Sequence, residues 1–136
     1  MKKVLVVIIM LVGIIEVCQA QEPGTNLCKT VQELRLSFPD LVAWGEQNGS
    51  QNFKSPEANI LFTVKKGVVC TEFTQFQGSD GFLRDFYHAL VRQFSKNAKS
   101  YLWGNDKNSI SFFYSYFRVY ISYTPYSDVA LLYDLY

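Results

Sequence analysis

The sequence predicts an α+β protein built from two tandem helix-plus-antiparallel-meander units, α-β-β-β-β given twice, that form one sheet with both helices packed on one face. Three observations point there. WGEQNGSQNF, from Trp44 to Phe53, returns as WGNDKNSISF, from Trp103 to Phe112, with Trp, Gly, Ser and Phe in register. Each copy follows a segment whose apolar residues recur at helical spacing. Each also opens a run of short alternating segments bounded by turn residues, the pattern of antiparallel strands.

In the first unit, about residues 27–77, Leu27, Val31, Leu34 and Phe38 fall at i, i+4, i+7 and i+11, one face of a helix. Thr30 and Glu33 have capping-box spacing, and Pro39 stops the helix. LVAWGEQ then reads as a strand, Asn48-Gly49 as a tight hairpin turn, and SQNFK as the return strand. Ser55-Pro56-Glu57 interrupts the chain, after which NILFTVKK and VVCTEFTQF read as two strands joined at Gly67. The second unit, about residues 80–136, starts at Ser79-Asp80-Gly81 with a helix whose Phe82, Phe86, Ala89, Leu90 and Phe94 are expected to share a face. SYLWGN, SISFFY, FRVYISY and DVALLYDLY follow as strands, the last pair separated by the turn Thr124-Pro125-Tyr126-Ser127. The two tryptophans are thus expected at equivalent places in the two units.

The chain begins with two lysines, an apolar run from Val4 to Ile15 and the small-residue end Cys18-Gln19-Ala20, the layout of a secretory signal peptide over residues 1–20. The twelve apolar positions fall short of the roughly 20 that a spanning helix needs, so no stable membrane span is expected after cleavage. A lipidated Cys18 is the alternative, against which Ile15-Glu16-Val17 is a poor lead-in. Residues 21–136 are then one exported α+β domain, secreted or periplasmic. Losing Lys2, Lys3 and Glu16 leaves 11 basic (13 − 2) and 11 acidic (12 − 1) residues. That balance gives no field to draw the chain to nucleic acid or an anionic membrane. Cys28 and Cys70 remain, and in an oxidising compartment an even pair is most simply one disulfide. Its loop, 70 − 28 = 42 residues, corresponds to roughly 4 kcal/mol in the chain-entropy account. Two separate buried thiols are the other reading.

A helix followed by a four-strand meander, given twice, resembles the tandem architecture of the secreted β-lactamase inhibitor proteins and, more loosely, that of small outer-membrane assembly lipoproteins. The resemblance is one of element order and carries no functional residue. Chemistry is sparse. His88, the only histidine, is spaced with Arg84 and Arg92 as one polar helix stripe, a solvated face before it is a basic ridge for an acidic partner. One histidine and no clustered ligand spacing imply neither a metal site nor a His-dependent nucleophile, and no cofactor motif groups the glycines. Asn48-Gly49-Ser50 matches a glycosylation sequon but is explained as a turn.

Aromatic residues stand above this background. All nine tyrosines fall between Tyr87 and Tyr136. Period-two reading puts Phe117, Val119, Ile121 and Tyr123 on one face of their strand and Arg118, Tyr120 and Ser122 on the other. Arg118 and Tyr120, joined by Tyr114 and Tyr133 from neighbouring strands, are expected to form an exposed aromatic surface, since tyrosine suits both strands and interfaces. Ordinary cross-strand packing is the competing explanation. The resulting expectation is an exported, non-enzymatic binding or inhibitory module that recognises a protein or glycan through its sheet face. A hydrolase using sequence-distant carboxylates and a structural component of the cell envelope are the alternatives.

Overall fold

A computed structural model describes residues 26–136. The expected leader, residues 1–20, and with it Cys18, lies outside the described residues. Two helices and eight strands follow in the order α1 (Val31–Ser37), β1 (Val42–Gln47), β2 (Ser50–Ser55), β3 (Ile60–Lys65), β4 (Val68–Phe76), α2 (Asp80–Ser95), β5 (Ser100–Trp103), β6 (Ser109–Phe113), β7 (Phe117–Thr124) and β8 (Asp128–Leu135). All eight strands join one antiparallel sheet in the order β1-β2-β3-β4-β8-β7-β6-β5, a mixed α+β fold that is mostly sheet.

Local signals explain most element ends. Thr30 caps α1: its hydroxyl accepts from the Glu33 N–H at 3.2 Å, while Glu33 Oε1 accepts from the Thr30 N–H at 3.4 Å. Leu27, expected on the same helix, lies before the cap and is fully buried there. Asn48 and Gly49 take φ of 52° and 80°, and Lys66 and Gly67 take 54° and 83°. Left-handed pairs of this kind give hairpin turns the twist of their strands. In α2 the buried stripe is Leu83, Tyr87, Leu90 and Phe94. The expected stripe therefore needs correcting: Phe82 is 54% exposed and Ala89 is exposed. Positions 83, 87, 90 and 94 follow the i, i+4, i+7, i+11 rule over the whole helix, and Phe82 instead stacks on Phe86, 5.7 Å between centroids.

Directly paired residues share a face of a sheet, so the register sorts the strands. One face carries Phe53, Phe62, Val64, Val119, Ile121, Val129 and Leu131, all buried. Helix α2 packs on this face over β6, β7 and β8, with Phe94 against Tyr133 and Phe86 against Phe76. Phe38, just past α1, lies 5.2 Å from Phe62. Phe62, Phe112 and Phe117 are essentially inaccessible, and truncating such a ring costs on the order of 3 to 5 kcal/mol.

Two carboxylates tie the chain to this covered face. Glu72 is only 5% exposed; its Oε2 accepts from the Asn26 N–H at 2.8 Å and its Oε1 from the Asn26 side-chain amide at 3.0 Å. Lys29 Nζ in turn donates to Asn26 Oδ1 at 2.7 Å. At the other end of the sheet Asp80, in the first turn of α2, accepts from the Tyr123 hydroxyl, from the Tyr126 N–H at 2.9 Å and from Arg84 at 3.1 Å. These donors hold Asp80 below the ordinary Asp value, the Tyr123 hydrogen bond most of all.

Burial dominates at Glu72 and raises its pKa above the ordinary Glu value of 4.5, against the Asn26 donors and the Lys29 charge. A carboxyl raised in the folded state binds protons better than in the unfolded chain. Its stabilising contribution is therefore complete below 4.5 and lost as pH rises through the folded value. The free energy of unfolding, measured by urea titration from pH 7 down to 4.5, should rise in the wild type relative to Glu72→Gln. Parallel profiles, or the opposite slope, would contradict this reading of Glu72.

Candidate functional site

The second face of the sheet is the candidate site, because it gathers the half-exposed aromatic and aliphatic residues that the core leaves over. Cross-strand partners form one row across all eight strands: Val42, Lys54, Leu61, Phe73, Leu132, Tyr120, Ser111 and Leu102. Leu61, Phe73, Leu132 and Tyr120, from β3, β4, β8 and β7, are the central four and are all half-buried. Strand alternation explains why they are here: their neighbours Phe62, Glu72, Leu131 and Ile121 are claimed by the covered face.

Trp44 adds to the β1 end of this row through an irregularity. The β1–β2 register shifts between Ala43 and Gly45, so Trp44 is the extra residue of a bulge. Gly45, at φ 144°, supplies backbone freedom where it is needed. The indole is 59% exposed, and Lys54 Nζ stands 4.6 Å from its centroid. A shallow depression beside it is lined by Trp44, Lys54, Asn59, Ile60, Leu61, Phe73 and Gln75. Trp103 lies on the other edge strand, but its partner Ile110 puts it on the covered face. The two tryptophans thus open their meanders on edge strands while facing opposite sides.

A polar row runs beside the apolar one: Asn52, Thr63, Thr71, Asp134 and Arg118. Thr63 donates to Asn52 Oδ1 at 2.9 Å, Thr71 to Asp134 Oδ1 at 3.2 Å and Arg118 to Asp134 Oδ2 at 3.2 Å. Arg118 and Asp134 side chains are each 37% exposed, so the pair contributes only about 0 to 1 kcal/mol to stability. The contact ties the Arg118 guanidinium on β7 to Asp134 on β8.

The four expected site residues divide between the faces. Arg118 and Tyr120 lie on this second face. Tyr114 does not: it is 8% exposed, its ring stacks 4.7 Å from Phe117, and its hydroxyl donates to the Phe94 carbonyl at 2.6 Å. Tyr133 is also on the covered face, directly opposite Val119 and edge-on to Phe94 at 5.9 Å. The expectation of one surface containing all four is corrected accordingly. Tyr114 follows β6 and turns under the C-terminal end of α2, while Tyr133 shares parity with Val129 and Leu131. Trp44, Leu61, Phe73 and Leu132 were not anticipated. Only the apolar odd positions of NILFTVKK and VVCTEFTQF hinted at the middle two.

The carboxylates Asp128 and Asp134 on this face are already engaged by neighbouring side chains. Asp134 is engaged by Thr71 and Arg118, and Asp128 accepts from Gln75 at 3.0 Å. The carboxyl with a raised pKa, Glu72, is buried against Asn26 on the other face. Tyr87, pushed up to about 12 chiefly by burial, is likewise a core residue of α2. His88 is exposed on α2. Among the described residues no three His, Cys, Asp or Glu side chains gather as a metal site would require, and no helix is long and apolar enough to cross a membrane. Compared with protein-family models, with curated proteins and with solved structures, the chain has no significant match.

Proposed function

We propose that this protein is an exported, non-enzymatic binding or inhibitory module that grips a partner protein with the second face of its sheet. One observation carries the reading: Trp44, Leu61, Phe73, Leu132 and Tyr120 form a half-exposed apolar band on the sheet, bordered by the hydrogen-bonded row from Asn52 to Arg118. An apolar centre with a polar margin, supplied with Trp, Tyr and Arg, is the anatomy of a protein interface. A glycan is the second ligand class, favoured at one end only, where the Trp44 ring stands beside Lys54, Asn59 and Gln75. A ring for stacking with amide and ammonium donors around it suits a sugar.

The architecture proposed with this function is a pair of tandem units, each a helix and a four-strand meander, sharing one sheet with both helices on one face. The mirrored strand order, with β1 and β5 outermost and β4 against β8 inside, supports it. So does the chain of contacts from Phe38 to Phe62, from Phe62 through Glu72 to Tyr133, and from Tyr133 to Phe94. Export by the leader at residues 1–20 makes the partner a periplasmic or extracellular molecule. It also makes a Cys28–Cys70 disulfide part of the proposal. The Cys28 N–H donates to the Val69 carbonyl at 2.8 Å and the Val69 N–H to the Lys29 carbonyl at 2.9 Å, so the two cysteines lie on adjoining backbone segments.

Two measurements test these proposals. The partner is first captured from the native envelope or medium on the wild-type chain. Tyr120→Ala should then weaken its binding by roughly 1 to 3 kcal/mol and cost little stability, whereas Ile121→Ala, on the covered face, should cost about 2 to 5 kcal/mol of stability. A Tyr120→Ala chain that binds as tightly as wild type would remove the sheet face from the interface. For the disulfide, intact mass of the denatured, non-reduced exported protein after alkylation should show no label on Cys28 or Cys70. Two labelled thiols would exclude it.

A further inference from the structure

Among the described residues the sheet has two outer edges, β1 and β5, and they differ. β1, the opposite edge, is blunted by its bulge at Trp44 and by the charge of Glu46, the devices that stop strands from adding to a sheet. β5 has neither within Ser100–Trp103, where the register to β6 is unbroken and no residue is charged. Its side chains stay largely uncovered: Tyr101 is 63% exposed, Leu102 66% and Trp103 42%. On the covered face, Tyr101 and Trp103 border a groove floored by Ile110 and Phe112 and walled by Val91 and Ser95 of α2.

Backbone polarity fixes how this edge can pair. The Gly104 N–H donates to the Ser109 carbonyl at 2.8 Å, and Gly104/Ser109 is the next step of the register after Trp103/Ile110. Hydrogen-bonded pairs alternate along an antiparallel ladder, so Leu102 and Ser100 also turn their N–H and C=O groups inward to β6. Tyr101 and Trp103 therefore turn theirs outward.

We propose that β5 pairs antiparallel with β5 of a second copy of this chain about a two-fold axis through Leu102. In that register Tyr101 of each copy is opposite Trp103 of the other, and the four outward backbone groups of each copy are satisfied reciprocally, as an isologous interface requires. The cross-strand Tyr–Trp pairs close over the groove at α2, and Leu102 meets its own counterpart on the second face. Charge favours the antiparallel sense. Lys96 and Lys99 precede the strand and Asp106 follows it, so each end of the interface sets lysines against an aspartate, with Lys107 the one like charge in the same turn. The sheet becomes continuous across the dimer, and the two binding faces of the proposed function lie side by side. The inference does not depend on that function.

The oligomeric state of the purified full chain, measured by light scattering on a sizing column, tests it. Wild type should run at twice the chain mass. Leu102→Lys and Leu102→Glu place like charges on the axis and should each give monomers, while an equimolar mixture of the two variants should restore the dimer. Leu102 is an exposed side chain, so both variants should keep the wild-type circular dichroism. As a check independent of any variant, the Tyr101 and Trp103 amides of the wild type should gain protection from hydrogen exchange as protein concentration rises. A monomeric wild type overturns the proposal. So does a dimer untouched by both charges, a mixture that fails to reassociate, or exchange at these two amides that ignores concentration.

Discussion

The antiparallel pairing of β4 with β8 is the constraint on which the rest of the molecule depends. These strands close their respective meanders, and their register, Thr71 with Asp134 through Phe76 with Val129, turns two four-stranded sheets into one of eight. Four strands and one helix have little apolar area to bury, and small cores are marginal. Joined at β4 and β8, Phe62 and Tyr133 come to flank Glu72 in one layer, and the covered face becomes continuous from Phe53 to Ile110. The same register determines what the other face displays. Phe73 falls opposite Leu132, and Thr71 opposite the Asp134 that holds Arg118. A slip of one residue would turn β8 over relative to β4, driving Tyr133 outward and bringing Asp134 or Leu132 opposite Glu72 instead.

Polar groups inside this frame work as fasteners. Glu72 gives up solvation to bind both the backbone and side-chain amides of Asn26, which fixes the entry of the chain beside β4. Asp80 does the corresponding task for the turn between β7 and β8, receiving the Tyr123 hydroxyl and the Tyr126 N–H at the start of α2. The two respond to acid in opposite senses. Protonation relieves the buried charge of Glu72, whereas it weakens the hydrogen bonds that hold Asp80. Asp40 resembles Asp80, with the Glu57 N–H as its main donor and the buried Ser55 hydroxyl beside it.

Much of this was legible in the residues themselves. The capping box at Thr30, the Asn48-Gly49 hairpin and the alternation of Phe117 to Tyr123 are local signals, and the chain obeys them. What local signals cannot state is which strand lies beside which. Tyr114 reads as one more strand aromatic, and only the position of Phe94 and Phe117 makes it a core residue. Tyr133 was more readable: in DVALLYDLY it keeps step with Val129 and Leu131, while the aspartates keep the other parity. Trp44 reached the second face through a bulge, for which Gly45 was the single clue. Leu61, Phe73 and Leu132 became a band only through the pairing of β4 with β8, a contact between residues about 60 positions apart that no window along the chain contains.

If that pairing makes the eight strands one cooperative sheet, opening either half must expose the core of the other. Native-state amide hydrogen exchange over a series of denaturant concentrations measures this most directly. The account predicts that the inward amides of β3, β4, β7 and β8 exchange with one common free energy, equal to that of global unfolding. Exchange of the β1–β4 amides at a distinctly lower free energy than those of β6–β8, with the latter still protected, would contradict it.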